Sequence, residues 1–187
     1  MTIEDKTFEK INYSIESLER AEHDNCTFTD CNFTGVDMSN MAFSECTFTN
    51  CNFSMVKAVH TALRDINFEN CKMLGFDFTK CHTFLLSFTF NNCNLDLAAF
   101  NGLKLKGTRF TNCSLCEADF TDTDVTNAIF NDSNLKRAVF HNTILEKADL
   151  RTATAYSIDP DVNRIKKAKF SLPAVTGLLD KYNIDIR

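Results

Sequence analysis

The chain has 187 residues, 44% of them apolar, and a formal net charge of -5. That length suits one domain with a sizeable core, and the mild charge gives no basic footprint for a nucleic acid. Met1 to Lys6 has no apolar stretch of the leader kind, no segment approaches a membrane span, and nine Cys point to a reducing compartment, so we expect a cytoplasmic protein with no membrane contact and no disulfides.

Composition is uneven: 18 Phe and no Trp, with 5 Gly and 2 Pro. Loops usually draw on Gly and Pro, so the turns here need another device. Phe8, Tyr13 and Leu18 share one phase, and an irregular first coil is expected near Thr7. From residue 26 to 152 a large apolar residue recurs every five positions. The centres run from Phe28, Phe33, Met38, Phe43, Phe48 and Phe53 to Phe130, Leu135, Phe140, Leu145 and Leu150, with Ala58 and Thr83 the weak ones. Two residues before most centres stands a small or apolar residue, Cys or Ala above all. Five fits neither the helical period of 3.6 nor the strand period of 2; it fits a chain that turns one corner per unit. The centre and the residue two before it then point inward together, as alternate strand residues do.

A second period counts the sides. Phe-x-Asn/Asp-Cys/Ser begins at Phe28, Phe48, Phe68, Phe90, Phe110 and Phe130, in steps of 20, 20, 22, 20 and 20. Twenty residues are four units, so the expected fold is all-β: a right-handed four-sided β-helix with those rings stacked in one internal ladder and Phe78, Phe100, Phe120 and Phe140 in another. The 22-residue step makes Phe84-Leu85-Leu86-Ser87-Phe88 a bulge, with Phe84, Leu85 and Leu86 a contact loop or, preferably, folded back over the coil. Ile165 and Phe170 keep the phase after a looser turn at Asp159–Asp161. The solenoid is read as residues 1–170 and a C-terminal module as 171–187. In that module Val175, Leu178, Leu179 and Tyr182 have the spacing of one helix face, with Ser171 as N-cap, Pro173 in the first turn, and Gly177 weakening the helix by about 1 kcal/mol. Ile184 and Ile186 alternate like a short strand. We expect this module to cap the coil and to join two chains into a homodimer.

Units such as Cys26-Thr27-Phe28-Thr29-Asp30, Ala118-Asp119-Phe120-Thr121-Asp122 and Ala148-Asp149-Leu150-Arg151-Thr152 resemble the pentapeptide-repeat family, over about residues 26–152. The plan of the chain, with its mid-chain break and terminal module, is similar to the topoisomerase-protecting branch, the Qnr-type and MfpA-like proteins. That resemblance implies a C-terminally joined dimer that mimics DNA and binds DNA gyrase or topoisomerase IV, a type II topoisomerase, protecting it from quinolones or a peptide toxin. The chain departs from the Qnr pattern in lacking long loops between coils.

Eight of nine Cys recur at the packing period, so we expect core thiols and no metal; Cys116 alone points out. His23, His60, His82 and His141 fall at different phases with no nucleophile beside them, and a solvated surface role is expected for each. No phosphate loop or cofactor motif is present, so no cofactor and no catalysis are expected. One outer face carries Asp37, Asp77, Asp119 and Asp122, with Glu117 and Asp124 at its edges, and Lys57 and Lys80 interrupt it. Such a face could steer a basic partner. The alternative is a solvated repeat face on a scaffold with an unrelated protein partner.

Overall fold

The computed structural model describes residues 1–186. It is a parallel β-solenoid with almost no helix. Ten short strands lie on two adjoining walls. Strands β1 (Thr2–Glu4), β3 (Glu22–Asp24), β5 (Ala42–Ser44) and β7 (Ala62–Arg64) stack on the first wall. On the second stack β2 (Thr7–Glu9), β4 (Thr27–Thr29), β6 (Thr47–Thr49), β8 (Ile66–Glu69), β9 (Phe88–Asn91) and β10 (Arg109–Thr111). Isolated parallel bridges continue both walls, through Lys104, Asp124, Ile144 and Arg164 on the first and Ile129, Asp149 and Lys169 on the second. Similar bridges build the third wall (Asn12, Asn32, Asn52, Lys72, Asn94) and the fourth (Asp37 to Lys57, then Asp77, Ala99, Asp119, Val139).

Register follows the sequence period. Phe28 pairs with Phe48, Phe48 with Phe68, Phe68 with Phe90 and Phe90 with Phe110. Their rings stack at 4.8, 5.4, 5.3 and 5.3 Å, and Phe110 meets Phe130 at 5.0 Å. On the fourth wall Phe78, Phe100, Phe120 and Phe140 stack at 4.8, 5.0 and 5.2 Å. Rings of the two walls meet edge-on, as Phe110 and Phe120 do at 5.9 Å and 89°. Each such pair adds roughly 0.5–1.5 kcal/mol beyond the area it buries.

The inward residue two before each centre does more than fill space. Cys51, Cys71 and Cys93 aim their thiols at the carbonyls of Phe28, Phe48 and Phe68, 3.3–3.4 Å away in the coil below. Thr61, Thr123, Ser133 and Thr143 donate to the equivalent carbonyls of Met38, Phe100, Phe110 and Phe120. A carbonyl oxygen has two lone pairs and a backbone N–H uses one, as those of Met41, Leu103 and Thr123 do on Met38, Phe100 and Phe120; the side chain occupies the second. This is why Cys, Thr and Ser interchange there, while Ala fills the same space without the extra bond.

The corners supply the missing turn device. Residues two after a centre have φ near +55°, among them Asn50, Asn92, Asn112, Asp122 and Asn142. Asn and Asp are the non-glycine residues that tolerate this region best, so most corners turn without Gly, and Gly35, Gly75, Gly102 and Gly107 serve four of the others.

The first coil begins at Thr2, earlier than expected, because Ile3 pairs with His23 and His23 with Phe43. His23 therefore occupies a centre, which corrects the surface role expected for it. It is 1% exposed and stacked on Phe43 at 5.0 Å.

The mid-chain bulge is partly corrected as well. Cys81 stays inside and His82 keeps its ladder bond to Thr61, but Thr83 turns outward and the chain regains register at Ser87, whose N–H donates to the Leu63 carbonyl. One rung of the first wall thus lacks its central side chain. Phe76 and Phe88, each two before a centre, fill that space; they are 6% and 4% exposed and both touch the Phe78 ring. Phe84 and Leu85 do not fold back: they are 69% and 58% exposed, with Leu86 half-buried.

The expected C-terminal helix and strand are corrected too. The module forms 3₁₀ turns at Val175–Leu178 and Asp180–Tyr182, Ala174 and not Ser171 precedes the first, and residues 184–186 form no strand. Gly177 accounts for this. A Cβ there would lie 2.2 Å from the Tyr156 carbonyl, and its own carbonyl accepts the Ile158 N–H at 2.9 Å. The segment is pressed onto the coil end instead of winding on.

Candidate functional site

The predicted acidic residues sit on the fourth wall and its edges. Asp37, Asp77 and Asp119 occupy one column, on alternate rungs, with Lys57, Ala99 and Val139 between and beyond them. Asp122 and Glu117 stand at the two corners flanking Asp119, both at positive φ. Asp124 lies around the corner on the first wall, bridged to Lys104 and Ile144.

Several of these carboxylates are engaged locally. Asp37 accepts the Ser39 N–H at 2.9 Å, and the hydrogen bonds from Ser39 hold its carboxyl below the usual range. Asp77 caps the turn Phe78–Lys80 and lies 3.9 Å from Lys80. Asp119 accepts the Thr121 N–H at 2.8 Å. Glu117 pairs with Arg137 at 3.0 Å. For Asp124 partial burial acts upward, but bonds from Thr126 and Lys106 outweigh it and keep the carboxyl low. Asp37, Asp77, Asp119 and Asp124 are held in fixed positions by Asx turns, each accepting the N–H two residues on.

The expected dimer residues divide. Val175 and Leu178 are half-buried, with Leu178 packed against the core, while Leu179, Tyr182, Ile184 and Ile186 are 37–57% exposed. Lys181 bonds Asp159 at 2.6 Å and also Asp161, tying the module to the 159–161 turn. Leu179, Tyr182 and the two isoleucines thus form an apolar outer surface on a tethered cap.

Among the described residues no group of three or more His, Cys, Asp or Glu is placed to hold a metal, and no helix is long and apolar enough to cross a membrane. Sequence reasoning missed a stronger polarity in charge: twelve of the 25 acids but five of the 20 bases precede residue 71. The signal was available, as acids one and two after centres in the first coils.

A family pattern described as a pentapeptide repeat region matches residues 21–100, and one described as pentapeptide repeats in 8 copies matches residues 93–132. Among solved structures the chain is similar to a trypsin-treated form of QnrB1, a plasmid-mediated fluoroquinolone resistance protein. The two are 15% identical over 100% of this chain and 99% of that one, with a TM-score of 0.62. HetL, a pentapeptide repeat protein involved in heterocyst differentiation regulation from the cyanobacterium Nostoc, is 15% identical over 90% and 86% of the two chains, with a TM-score of 0.37. The likeness to QnrB1 concerns the fold. No curated protein sequence matches the chain.

Proposed function

The chain belongs to the pentapeptide-repeat family, and on that premise we propose that it is a non-catalytic, cytoplasmic binding protein whose partner is a type II topoisomerase, DNA gyrase or topoisomerase IV. In this reading the fourth wall imitates a DNA strand in the enzyme's DNA-binding groove. The observation that carries it is the carboxylate column Asp37, Asp77, Asp119 on alternate rungs. Two rungs at roughly 4.8 Å each span about 10 Å, close to three phosphate steps along one strand at about 3.4 Å each, so the column matches every third phosphate. Asp122 and Glu117 widen the column at its corners. Occupying the groove would exclude DNA, and with it a quinolone or peptide toxin that acts on the cleaved complex. The exposed Leu179, Tyr182, Ile184 and Ile186 join two such rods end to end as a homodimer. The fold-level similarity to QnrB1 supports this partner class.

Lys57, Ala99 and Val139 interrupt the column, and that favours a second reading, a scaffold for an unrelated protein. A supercoiling assay decides. Added chain should inhibit gyrase or restore its activity in the presence of a quinolone, and Asp37→Lys/Asp77→Lys/Asp119→Lys should abolish the effect. A wild-type chain without influence on either topoisomerase, or a triple variant as active as the parent, refutes the proposal.

A further inference from the structure

The two extra residues of the mid-chain bulge leave the ladder above it unfinished. Elsewhere in the upper first wall, three backbone groups tie each rung to the one beneath. Asp124 donates its N–H to the Leu103 carbonyl at 2.9 Å, and the carbonyls of Ile144 and Glu146 accept the N–H groups of Val125 and Asn127 at 2.9 Å. The rung of Leu105 is complete on its upper side, where Leu105 and Gly107 donate to Asp124 and Thr126 at 2.8 and 2.9 Å. On its lower side the matching groups are the Lys104 N–H and the carbonyls of Lys104 and Lys106. Their partners by register are the Cys81 carbonyl and the N–H groups of Thr83 and Leu85. Among the described residues none of these three bonds is made, and Lys104 is bridged only upward, to Asp124. The excursion has closed on the coil beneath it instead: His82 donates to Thr61 at 2.9 Å, Ser87 to Leu63 at 3.1 Å, and the Ser87 hydroxyl bonds Asp65 at 2.9 Å.

We propose that this open edge takes an extended peptide segment of a partner protein, which adds to the first wall as a strand beneath residues 104–106. A row of unpaired N–H and C=O groups is a template for another strand. In such additions the main-chain bonds supply affinity, and recesses for alternate side chains supply specificity. Two recesses lie against the lower side of this rung. One, of about 350 Å³, is bordered by Asp65, Ser87 and Lys106; the other, of about 320 Å³, by Phe84, Gly102 and Leu103. Lys104 and Leu86 border both, so the two recesses follow the rung from one end to the other.

The chemistry of the recesses selects the segment. The one walled by Phe84 and Leu103 suits an apolar side chain, which would cover the exposed Phe84 ring. The other holds two ammonium groups and one carboxylate. Lys106 is paired with Asp124 at 3.2 Å and Asp65 is engaged by Ser87, so Lys104 is the charge there without an ion pair among the described residues. A carboxylate of the segment answers it. Alternate strand residues point the same way, roughly 6.7 Å apart, so the segment carries an apolar residue and, two positions from it, Asp or Glu. Every rung of this wall runs parallel to its neighbours, and the open groups keep that register. The segment therefore lies parallel to the rung, with its apolar residue first, near Leu103, and its acid second, near Lys106. This surface is separate from the fourth-wall column, and its test needs no topoisomerase.

The test uses the full chain and a fluorescein-labelled peptide, Gly-Thr-Val-Thr-Glu-Thr-Gly, followed by fluorescence polarisation. Half-saturation is expected at or below about 1 mM. The reversed peptide, Gly-Thr-Glu-Thr-Val-Thr-Gly, should bind more weakly. Hydrogen exchange reads the edge itself: the Lys104 amide should exchange fast in the free chain and slow at least about tenfold at saturation, with Leu105 protected in both states. Lys104→Pro removes the donor without costing the fold a ladder bond, and Pro is tolerated at sheet edges. Its circular dichroism should match the parent while peptide binding weakens about tenfold, the cost of one unmade bond. Deleting Phe84 and Leu85 restores the 20-residue step, closes the rung and should abolish binding. No binding of the peptide up to about 1 mM overturns the proposal. So does binding that leaves Lys104 exchange unchanged, or that Lys104→Pro does not weaken.

Discussion

Replacing Phe88 by Ala tests how the solenoid absorbs its two extra residues. In other coils the position two before a second-wall centre holds a smaller residue, such as Cys26, Cys46 or Ala128, and truncation there would be mild. Here Thr83 has left the core, and Phe88 fills the vacated space in contact with Phe78 at 5.1 Å and Phe90 at 5.0 Å. Its removal should therefore cost what a central Phe costs, about 3–5 kcal/mol. For a chain of this size that is a fall in melting temperature of roughly 6–20 °C. Because Phe76 borders the same space, Phe76→Val and Phe88→Ala should be non-additive, with a coupling of roughly 0.5–3 kcal/mol. The control is Phe84→Ala in the exposed excursion, expected within about 0.5 kcal/mol of the parent. Urea unfolding followed by circular dichroism measures all four chains. If Phe88→Ala lies within about 1 kcal/mol of the parent, the void-filling argument is wrong.

Three further outcomes concern His23, the cysteines and Lys181. His23 donates from Nε2 to the Glu19 carbonyl at 3.3 Å and leaves Nδ1 without a partner; burial pushes its pKa below the ordinary 6.5. The unfolded chain then binds more protons in that window, so stability should be complete above about pH 6.5 and fall as pH drops through the lower folded value. His23→Phe should remove that slope in urea titrations at stepped pH; an unchanged slope refutes the assignment. Burial pushes the thiols of Cys46 and Cys81 up to about 12, and thiolate is the reactive form. A disulfide reagent should accordingly modify Cys116 rapidly and the other eight only after unfolding; several fast thiols in the native chain would contradict this. Lys181→Met should free the C-terminal module from Asp159 and Asp161, read as faster hydrogen exchange at Gly177 and Ile158 with the central coils unchanged. Equal protection in both chains would show that the ion pair does not hold the module.

Much of the fold was legible because one physical constraint, a corner every five residues, repeats some two dozen times in phase. Phe28 and Phe110 declare the same column at a distance of 82 residues by spacing alone. His23 obeys the same arithmetic, five before Phe28, yet its polarity led to a surface assignment; the period was the better guide than residue type. Phe76 and Phe88 were visible as large residues at small-residue positions, but their role appears only once Thr83 is seen to leave the core. The C-terminal spacing of 175, 178, 179 and 182 suits an α-helix and a pair of 3₁₀ turns alike, and the contact of Gly177 with Tyr156 selects between them. Asp37, Asp77 and Asp119 share one column by the twenty-residue period, while Asp122, expected on the same face, stands at its corner. Its sparseness was legible at Lys57, while the local engagement of Asp77 and Asp119 depends on backbone geometry that spacing does not reveal.

The most direct test of the proposed function is competition at the topoisomerase's DNA surface. The chain, immobilised, should capture purified gyrase or topoisomerase IV, and increasing duplex DNA should displace the enzyme, with Asp37→Lys/Asp77→Lys/Asp119→Lys failing to capture it at all. Capture that DNA leaves unchanged, or no capture of either enzyme, would contradict DNA mimicry by this rod.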